Sequence, residues 1–241
     1  MQIESPEIFA GKDVLITGTS KGLGAEIAKT LTELGARVFG VSRTAADWEG
    51  DLPAGRRARY LHYRADISDP TQIDELFKFL RASNAQTKFL INNAGYFSQI
   101  TAFDSVSLTQ WNASVATNLT AAFIIIQKAL PMLRSSAPSC IINVSSSVAQ
   151  QITPGWGDYA IAKAGLEVLS KQVSKEHSKD GISAFSVWPR KLRTDMRRRA
   201  HPTEDQSKLF DPSVAVPPIL NFAAKSLTET IEDVIDLSHY Y

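Results

Sequence analysis

Short runs of Val, Ile and Leu recur along this chain, separated by stretches of helical length, and that alternation limits the folds open to it. Asp13–Thr17 is such a run, followed by others at 37–41, 60–63, 89–91, 140–144, 182–187 and 234–237. Between them, residues 23–34 carry Leu23, Ile27, Leu31 and Leu34 at helical spacing, and Gly35 supplies a stop. Residues 71–80 put Ile73, Leu76, Phe77 and Leu80 on one helical face, and longer helices are expected at 108–133 and 159–177. The strand runs are continuously apolar rather than alternating. Strands of that kind are buried on both faces, which predicts a parallel sheet with helices on both sides. There is no internal repeat and no low-complexity linker, so a single doubly wound domain is expected over residues 1–241. Residues 195–218 are the least regular, rich in charge and proline, and read as a mobile cover over a site.

Composition removes several alternatives. Hydrophobic residues make up 44% of the 241 and charged residues 21%, as in ordinary globular proteins. The net charge of +1 lacks the basic excess of a nucleic-acid binder. Cys140 is the only cysteine, which excludes an internal disulfide and a thiolate metal cluster. Apolar stretches such as 121–126 are too short to cross a bilayer. The first twelve residues lack the features of a signal peptide, so a cytoplasmic protein is expected.

The first predicted strand runs into Thr17-Gly18-Thr19-Ser20-Lys21-Gly22-Leu23-Gly24 and then into the first helix. A pyrophosphate needs a close approach of backbone and helix N-terminal N–H groups aimed at it. Glycines at the first strand–helix turn of a doubly wound sheet meet both needs. Tyr159 and Lys163, four residues apart on a predicted helix, share one face. A tyrosine is a poor acid–base catalyst at neutral pH, and a neighbouring ammonium is expected to lower its pKa. Ser145, Ser146 and Ser147, at a strand end, are candidate donors to a substrate oxygen. Asn118 is a polar residue in an otherwise apolar helical stretch.

Together these segments resemble the short-chain dehydrogenase/reductase family, in its classical branch. The G-x-x-x-G-x-G order of the turn, Asn92-Asn93-Ala94-Gly95, Asn118, Asn143-Val144-Ser145-Ser146, the Y-x-x-x-K of Tyr159 and Lys163, and Thr194 after Pro189 follow the family's order over residues 12 to about 195. The resemblance implies a Rossmann-type domain and hydride transfer between a nicotinamide cofactor and a substrate carbon, without a metal. It makes Tyr159 the proton donor or acceptor, Lys163 its tuning group and ribose contact, and Asn118 part of a proton relay. The family's catalytic serine stands thirteen residues before the tyrosine, which selects Ser146. Gly18, Ser20, Lys21, Gly22, Leu23, Asn93, Ala94, Gly95, Pro189 and Thr194 become cofactor contacts, with Asp66 and Ile67 at the adenine. The second strand ends in Ser42-Arg43, with no acid before Asp47, where an NAD-selective site carries a carboxylate. Arg43 and Lys21 stand where the family keeps its 2′-phosphate contacts, so NADPH is the expected cofactor.

Three features depart from the family pattern. Arg190 replaces the glycine after Pro189, residues 42–59 leave little room for the usual second helix, and the C-terminal tail from Ile231 is unusual. Arg190 either distorts the carboxamide pocket or sets a cation beside the substrate. The basic run Arg190, Lys191, Arg193, Arg197, Arg198 and Arg199 is read as a solvated face balanced by Glu204, Asp205 and Asp211. Tyr96, Phe97, Gln150, Ile152, Trp156 and Trp188 suggest an apolar, partly aromatic substrate pocket. The leading expectation is an NADPH-dependent reductase of a small ketone. Alcohol oxidation by the same site, or a non-catalytic cofactor-binding protein, are the alternatives. A homodimer or homotetramer built on the long helices is the oligomer the resemblance suggests.

Overall fold

The computed structural model describes residues 1–189 and 191–240. Seven strands form one parallel sheet in the order β3-β2-β1-β4-β5-β6-β7. They are β1 (Asp13–Thr17), β2 (Arg37–Ser42), β3 (Tyr60–Arg64), β4 (Thr87–Asn92), β5 (Ser139–Val144), β6 (Ile182–Trp188) and β7 (Val234–Asp236). The main helices are α1 (Gly22–Glu33), α3 (Pro70–Ala82), α4 (Leu108–Val115), α5 (Ala121–Ser135), α6 (Gly157–His177) and α8 (Val216–Lys225). Two short ones, α2 (Ala54–Arg57) and α7 (Asp195–Ala200), complete the set.

Successive strand residues point to opposite faces, and both faces are apolar. Val14, Ile16, Val38, Phe89 and Ile142 pack with Ile27, Leu31, Ile219 and Leu220, placing α1 and α8 on one side. Leu15, Phe39, Leu90 and Ile141 pack with Ile73, Leu76, Ile125 and Val173 of α3, α5 and α6 on the other. Each core leucine or isoleucine cut back to alanine should therefore cost about 2–5 kcal/mol. At the N-terminal edge of the sheet, buried Asp13 accepts from Arg37 Nε at 2.8 Å and from the Gln86 amide at 2.6 Å, which joins β1, β2 and the approach to β4.

The chain leaves β1 toward β2 and β3, then returns on the other side at β4. The switch of direction opens a crevice at the C-terminal ends of β1 and β4, where ligands of such sheets bind.

Residues 42–59 hold only a 3₁₀ segment, Asp47–Asp51, and the single turn of α2, as the short span implied. Residues 108–135 form one continuous helical run, with the π-turn Ala116–Thr120 joining α4 to α5. By length and composition this 28-residue run could span a bilayer, which corrects the reading of the shorter apolar stretches. In the fold, its residues Ala121, Ala122, Ile125, Ile126, Ala129 and Leu133 are buried in the core. The stretch read as irregular contains α7, the 3₁₀ turns Gln206–Lys208 and Pro212–Ala215, and the start of α8.

Candidate active site

The glycine turn and the segment after β4 are built against each other. Gly18 has φ +76°, and a Cβ there would lie 2.8 Å from the Ala94 Cα. A Cβ on Gly24 would lie 2.2 Å from the Gly18 carbonyl, so helix α1 can close on β1 only with glycine there. Thr17 Oγ1 accepts from the amides of Asn93 and Ala94 at 3.1 and 3.0 Å. Asn93 Nδ2 donates to the carbonyls of Thr17 and Gly18 at 3.0 and 3.1 Å, so its side chain braces the turn. Lys21 is the N-cap of α1, and its side chain does not cap the helix. The first-turn N–H groups therefore have no capping side-chain acceptor from it, as an anion site at a helix start requires. Leu23 is buried, and Ser20 and Gly22 are half-buried at the same turn.

The turn has a second support that sequence reasoning missed. Tyr60 crosses β2 and donates to Thr19 Oγ1 at 2.8 Å, while Trp48 Nε1 donates to the Thr19 carbonyl at 2.9 Å. Tyr60 reaches that far because residue 40 is glycine; a Cβ there would lie 2.4 Å from its hydroxyl. Burial pushes the Tyr60 phenol up to about 12. The signal in the sequence was a glycine inside an otherwise bulky strand.

At the end of β2, Ser42 is buried, with its hydroxyl donating to the Thr44 carbonyl at 2.8 Å and paired with His62 Nε2. Arg43 is exposed. Asp66 accepts from the Ser68 amide at 3.0 Å and from its hydroxyl at 2.7 Å, beside buried Ile67. Asp69 caps α3, its carboxylate accepting from the Thr71 amide.

Tyr159 and Lys163 come together on α6, both buried, with Lys163 Nζ 5.6 Å from the centroid of the Tyr159 ring. Nζ donates to the Val144 carbonyl at the end of β5, at 2.8 Å. Burial lowers the Lys163 pKa to about 8, against the pull of Glu167. Burial also pushes the Tyr159 phenol up. This corrects the expectation of a lowered tyrosine: the ammonium is engaged by a carbonyl, and loss of hydration dominates. Ser146 is half-buried, directly after Ser145 at the end of β5. Ser145 is turned away and donates to Glu167 Oε1 at 2.7 Å. Asn118 lies in the π-turn, a local widening often found at functional sites. It donates to the Tyr96 and Ser114 carbonyls at 2.7 and 3.0 Å and accepts from the Tyr96 amide at 3.1 Å.

Aromatic side chains surround Tyr159. Phe97 stacks on Trp156 at 4.5 Å between centroids, and both meet the Tyr159 ring edge-on. Ala200 and Met196 of α7 pack into the same cluster, and His201 lies 5.7 Å from the Trp156 ring. Met196 also reaches Gly95, whose Cβ would lie 3.4 Å from its Cε and 3.3 Å from Asn118 Oδ1. Ile152 is exposed, whereas Gln150 and Trp188 turn to Glu167 instead of lining an apolar pocket.

Several of the charges after β6 are paired. Arg193 meets Asp211, Arg197 meets Glu204, and Asp195 takes both Lys21 and Arg198. Thr194 caps α7 by accepting from the Arg197 amide at 3.2 Å, and its methyl would lie 3.4 Å from a Cβ on Gly22. Pro189 is half-buried; Arg190 lies outside the described residues.

A doubly wound sheet with a glycine turn at its switch point and a buried tyrosine–lysine pair beside the end of β5 defines a nicotinamide-dependent oxidoreductase domain. A family model described as short chain dehydrogenase matches residues 12–205. The chain is 32% identical over 193 residues to the 3-oxoacyl-(acyl-carrier-protein) reductase FabG of Escherichia coli (strain K12), covering 79% of this chain and 77% of that protein. It is 30% identical over 207 residues to an NADPH-dependent aldehyde reductase-like protein, chloroplastic, of Arabidopsis thaliana, covering 80% and 77%. In fold it matches a short chain dehydrogenase from Escherichia coli CFT073 complexed with NADPH, with a TM-score of 0.87 and 24% identity over 97% and 99% of the two chains. This chain belongs to the short-chain dehydrogenase family, and it is an oxidoreductase of carbonyl or hydroxyl groups.

Proposed function

We propose that this protein is an NADPH-dependent reductase of a small ketone. The observation that carries the reading is the burial of Tyr159 and Lys163 together beside the end of β5, next to Ser146. The helix start at Gly22 would hold the pyrophosphate, with Gly18, Ser20 and Leu23 around it. Lys21 and Arg43 would take the 2′-phosphate beside Ser42, whose own hydroxyl is held by the Thr44 carbonyl and His62. Asp66 and Ile67 would take the adenine, and Pro189 and Thr194 the carboxamide. The Asn93-Ala94-Gly95 segment and Lys163 would line the ribose side. The cradle fits such a group, since a side chain at Gly18 or Gly24 would collide with backbone. Nicotinamide, when bound, supplies the hydride.

The protein's own part is to hold the carbonyl and deliver a proton. Ser146, with no protein partner for its hydroxyl among the described residues, donates to the substrate oxygen and polarises it. Tyr159 gives that oxygen its proton. Its raised pKa keeps the phenol protonated before transfer, the form a reductase needs. Lys163 stabilises the phenolate left behind, and Asn118 holds the chain at Tyr96 and starts the route by which the proton is replaced. The ring cluster of Phe97 and Trp156 favours a substrate with an apolar, flat substituent. Residues 195–218 form the cover over the site. The names of the Escherichia coli and Arabidopsis thaliana relatives agree with reduction, and the second with NADPH. A cytoplasmic location and a homodimer or homotetramer complete the reading. Leu108, Phe123, Ile161 and Val168, exposed on α4, α5 and α6, support the oligomer.

The test is NADPH or NADH mixed with a panel of ketones and aldehydes, followed by loss of nicotinamide absorbance. Turnover with NADPH is expected. Cofactor binding without turnover on any carbonyl would favour the non-catalytic alternative. Turnover confined to alcohol oxidation would reverse the proposed direction.

A further inference from the structure

One buried carboxylate has no part in the chemistry just described. Glu167 lies one helical turn beyond Lys163 on α6 and is 4% exposed. Its Oε1 accepts from Ser145 Oγ at 2.7 Å and from Trp188 Nε1 at 2.5 Å, and its Oε2 accepts from Gln150 Nε2 at 2.9 Å. The donors come from the end of β5, the loop after it and the end of β6. Each stands close to a residue of the site. Ser145 lies between Val144, whose carbonyl takes Lys163 Nζ, and Ser146; Trp188 directly precedes Pro189. A buried carboxylate held by three donors is a high-stakes arrangement, because the buried Trp188 N–H would be stranded without it and the Ser145 hydroxyl would lose its shorter bond.

We propose that Glu167 is a positioning residue of the active site, which ties the ends of β5 and β6 to α6 and keeps a negative charge beside Lys163. The proposal rests on the reading of Tyr159 and Lys163 as the catalytic pair. All three partners donate, so an ionised, acceptor-only carboxylate suits the place. The Tyr159 ring and the Val144 carbonyl lie against the Lys163 side chain, Glu167 stands one helical turn on, and the Ser145 hydroxyl meets the Lys163 main-chain carbonyl at 3.4 Å. Glu167 is the one charged group acting on it among the described residues, and it favours the ammonium that burial disfavours.

Geometry and charge can be separated. In Glu167→Gln, the amide oxygen can still accept from Ser145 and Trp188. The exposed Gln150 amide can turn its oxygen to the new N–H₂ group. The framework is kept and the charge is lost. Glu167→Leu removes both, leaving the Trp188 N–H buried without its acceptor and the Ser145 hydroxyl with only its 3.4 Å contact to the Lys163 main-chain carbonyl.

The experiment compares wild type, Glu167→Gln and Glu167→Leu for NADPH affinity, melting temperature and the pH dependence of ketone reduction. The Lys163 ammonium is titrated in parallel by NMR of lysine-labelled protein, its signal identified by its loss in Lys163→Met. For Glu167→Gln we expect near-normal melting and NADPH affinity. The Lys163 midpoint and the basic limb of the rate profile should both move down by about one pH unit, so that turnover falls about twofold near pH 7 and approaches a tenfold loss above pH 9. Glu167→Leu should lose more and melt lower. If it does not fold, Glu167→Gln decides alone. A Glu167→Gln protein with an unmoved Lys163 midpoint would overturn the proposal and leave Glu167 a structural residue only. A wild type inactive on every carbonyl sinks the functional reading instead, and the lysine titration still judges Glu167.

Discussion

Lys21, on the glycine turn, and Asp195, at the start of α7, are joined by an ion pair of 2.6 Å across 174 residues of sequence. The cation proposed for the cofactor's 2′-phosphate is thus held by the segment proposed as the cover. The next residue, Met196, packs with Tyr159, Phe97 and Trp156. A phosphate at Lys21 would compete with Asp195 for the same ammonium. The pair is well exposed, at 71% and 41%, so it is worth at most about 1 kcal/mol. Asp195→Asn should therefore tighten NADPH by up to about fivefold at low salt, with less effect on NADH. Fluorescence titration of both cofactors checks this. Weaker NADPH binding by the variant would mean that Asp195 assists the cofactor site.

Arg43 should carry the larger share of that selectivity. It is exposed at the end of β2, and the sequence carries no acid between it and Asp47. An arginine–phosphate contact contributes roughly 1.5–3 kcal/mol, a factor of about ten to a hundred in affinity. Arg43→Ala is expected to weaken NADPH by that factor and leave NADH nearly unchanged. Equal affinity of the wild-type protein for the two cofactors would remove the NADPH assignment altogether.

Tyr159→Phe deletes one hydroxyl from a buried ring that packs against Phe97 and Trp156. The ring contacts persist, so melting and cofactor affinity should change little. Turnover should fall by two or more orders of magnitude, the scale of a lost general acid. Single-turnover absorbance with the best ketone measures it. Near-normal turnover would show that the proton comes from elsewhere.

The parts of this molecule that depend on local pattern could be read in the sequence, and those that depend on distant partners could not. The strands were legible because continuous apolar runs suit only a doubly covered sheet. Ser145, Ser146 and Ser147 could be told apart only by family spacing. The structure then gives a physical reason why Ser145 is engaged elsewhere, namely its bond to Glu167. Helix α8 was missed because Pro217 and Pro218 read as breakers, whereas proline is well suited to the first turn of a helix. Glu167 was missed because a glutamate on an amphipathic helix ordinarily faces water. Its donors Ser145 and Trp188 lie 22 and 21 residues away in sequence. The direction of the Tyr159 shift depended on where Lys163 Nζ points, which no spacing determines.

The burial of Lys163 makes a prediction that needs no substrate. Its pKa is lowered to about 8 in the folded protein, against an ordinary value of 10.5. Below pH 8 the lysine is protonated in both folded and unfolded chains, and the folded state bears the full penalty of a buried ammonium. Between about 8 and 10.5 the unfolded chain holds the proton and the folded one does not, so this group adds stability as pH rises. Cys140, raised to about 11, and Tyr60, raised to about 12, act in the opposite sense above pH 9 to 10, because they keep their protons on folding. The wild-type curve is therefore a mixture, and the difference from Lys163→Met isolates the lysine. The methionine variant should gain stability relative to wild type at pH 7, offset in part by the Val144 carbonyl left without its donor. The wild type should then recover against it steadily between pH 8 and 10. Urea unfolding of both proteins across that range measures the difference. A gap that stays constant from pH 7 to 10 would mean that Lys163 titrates in the folded protein as it does in water.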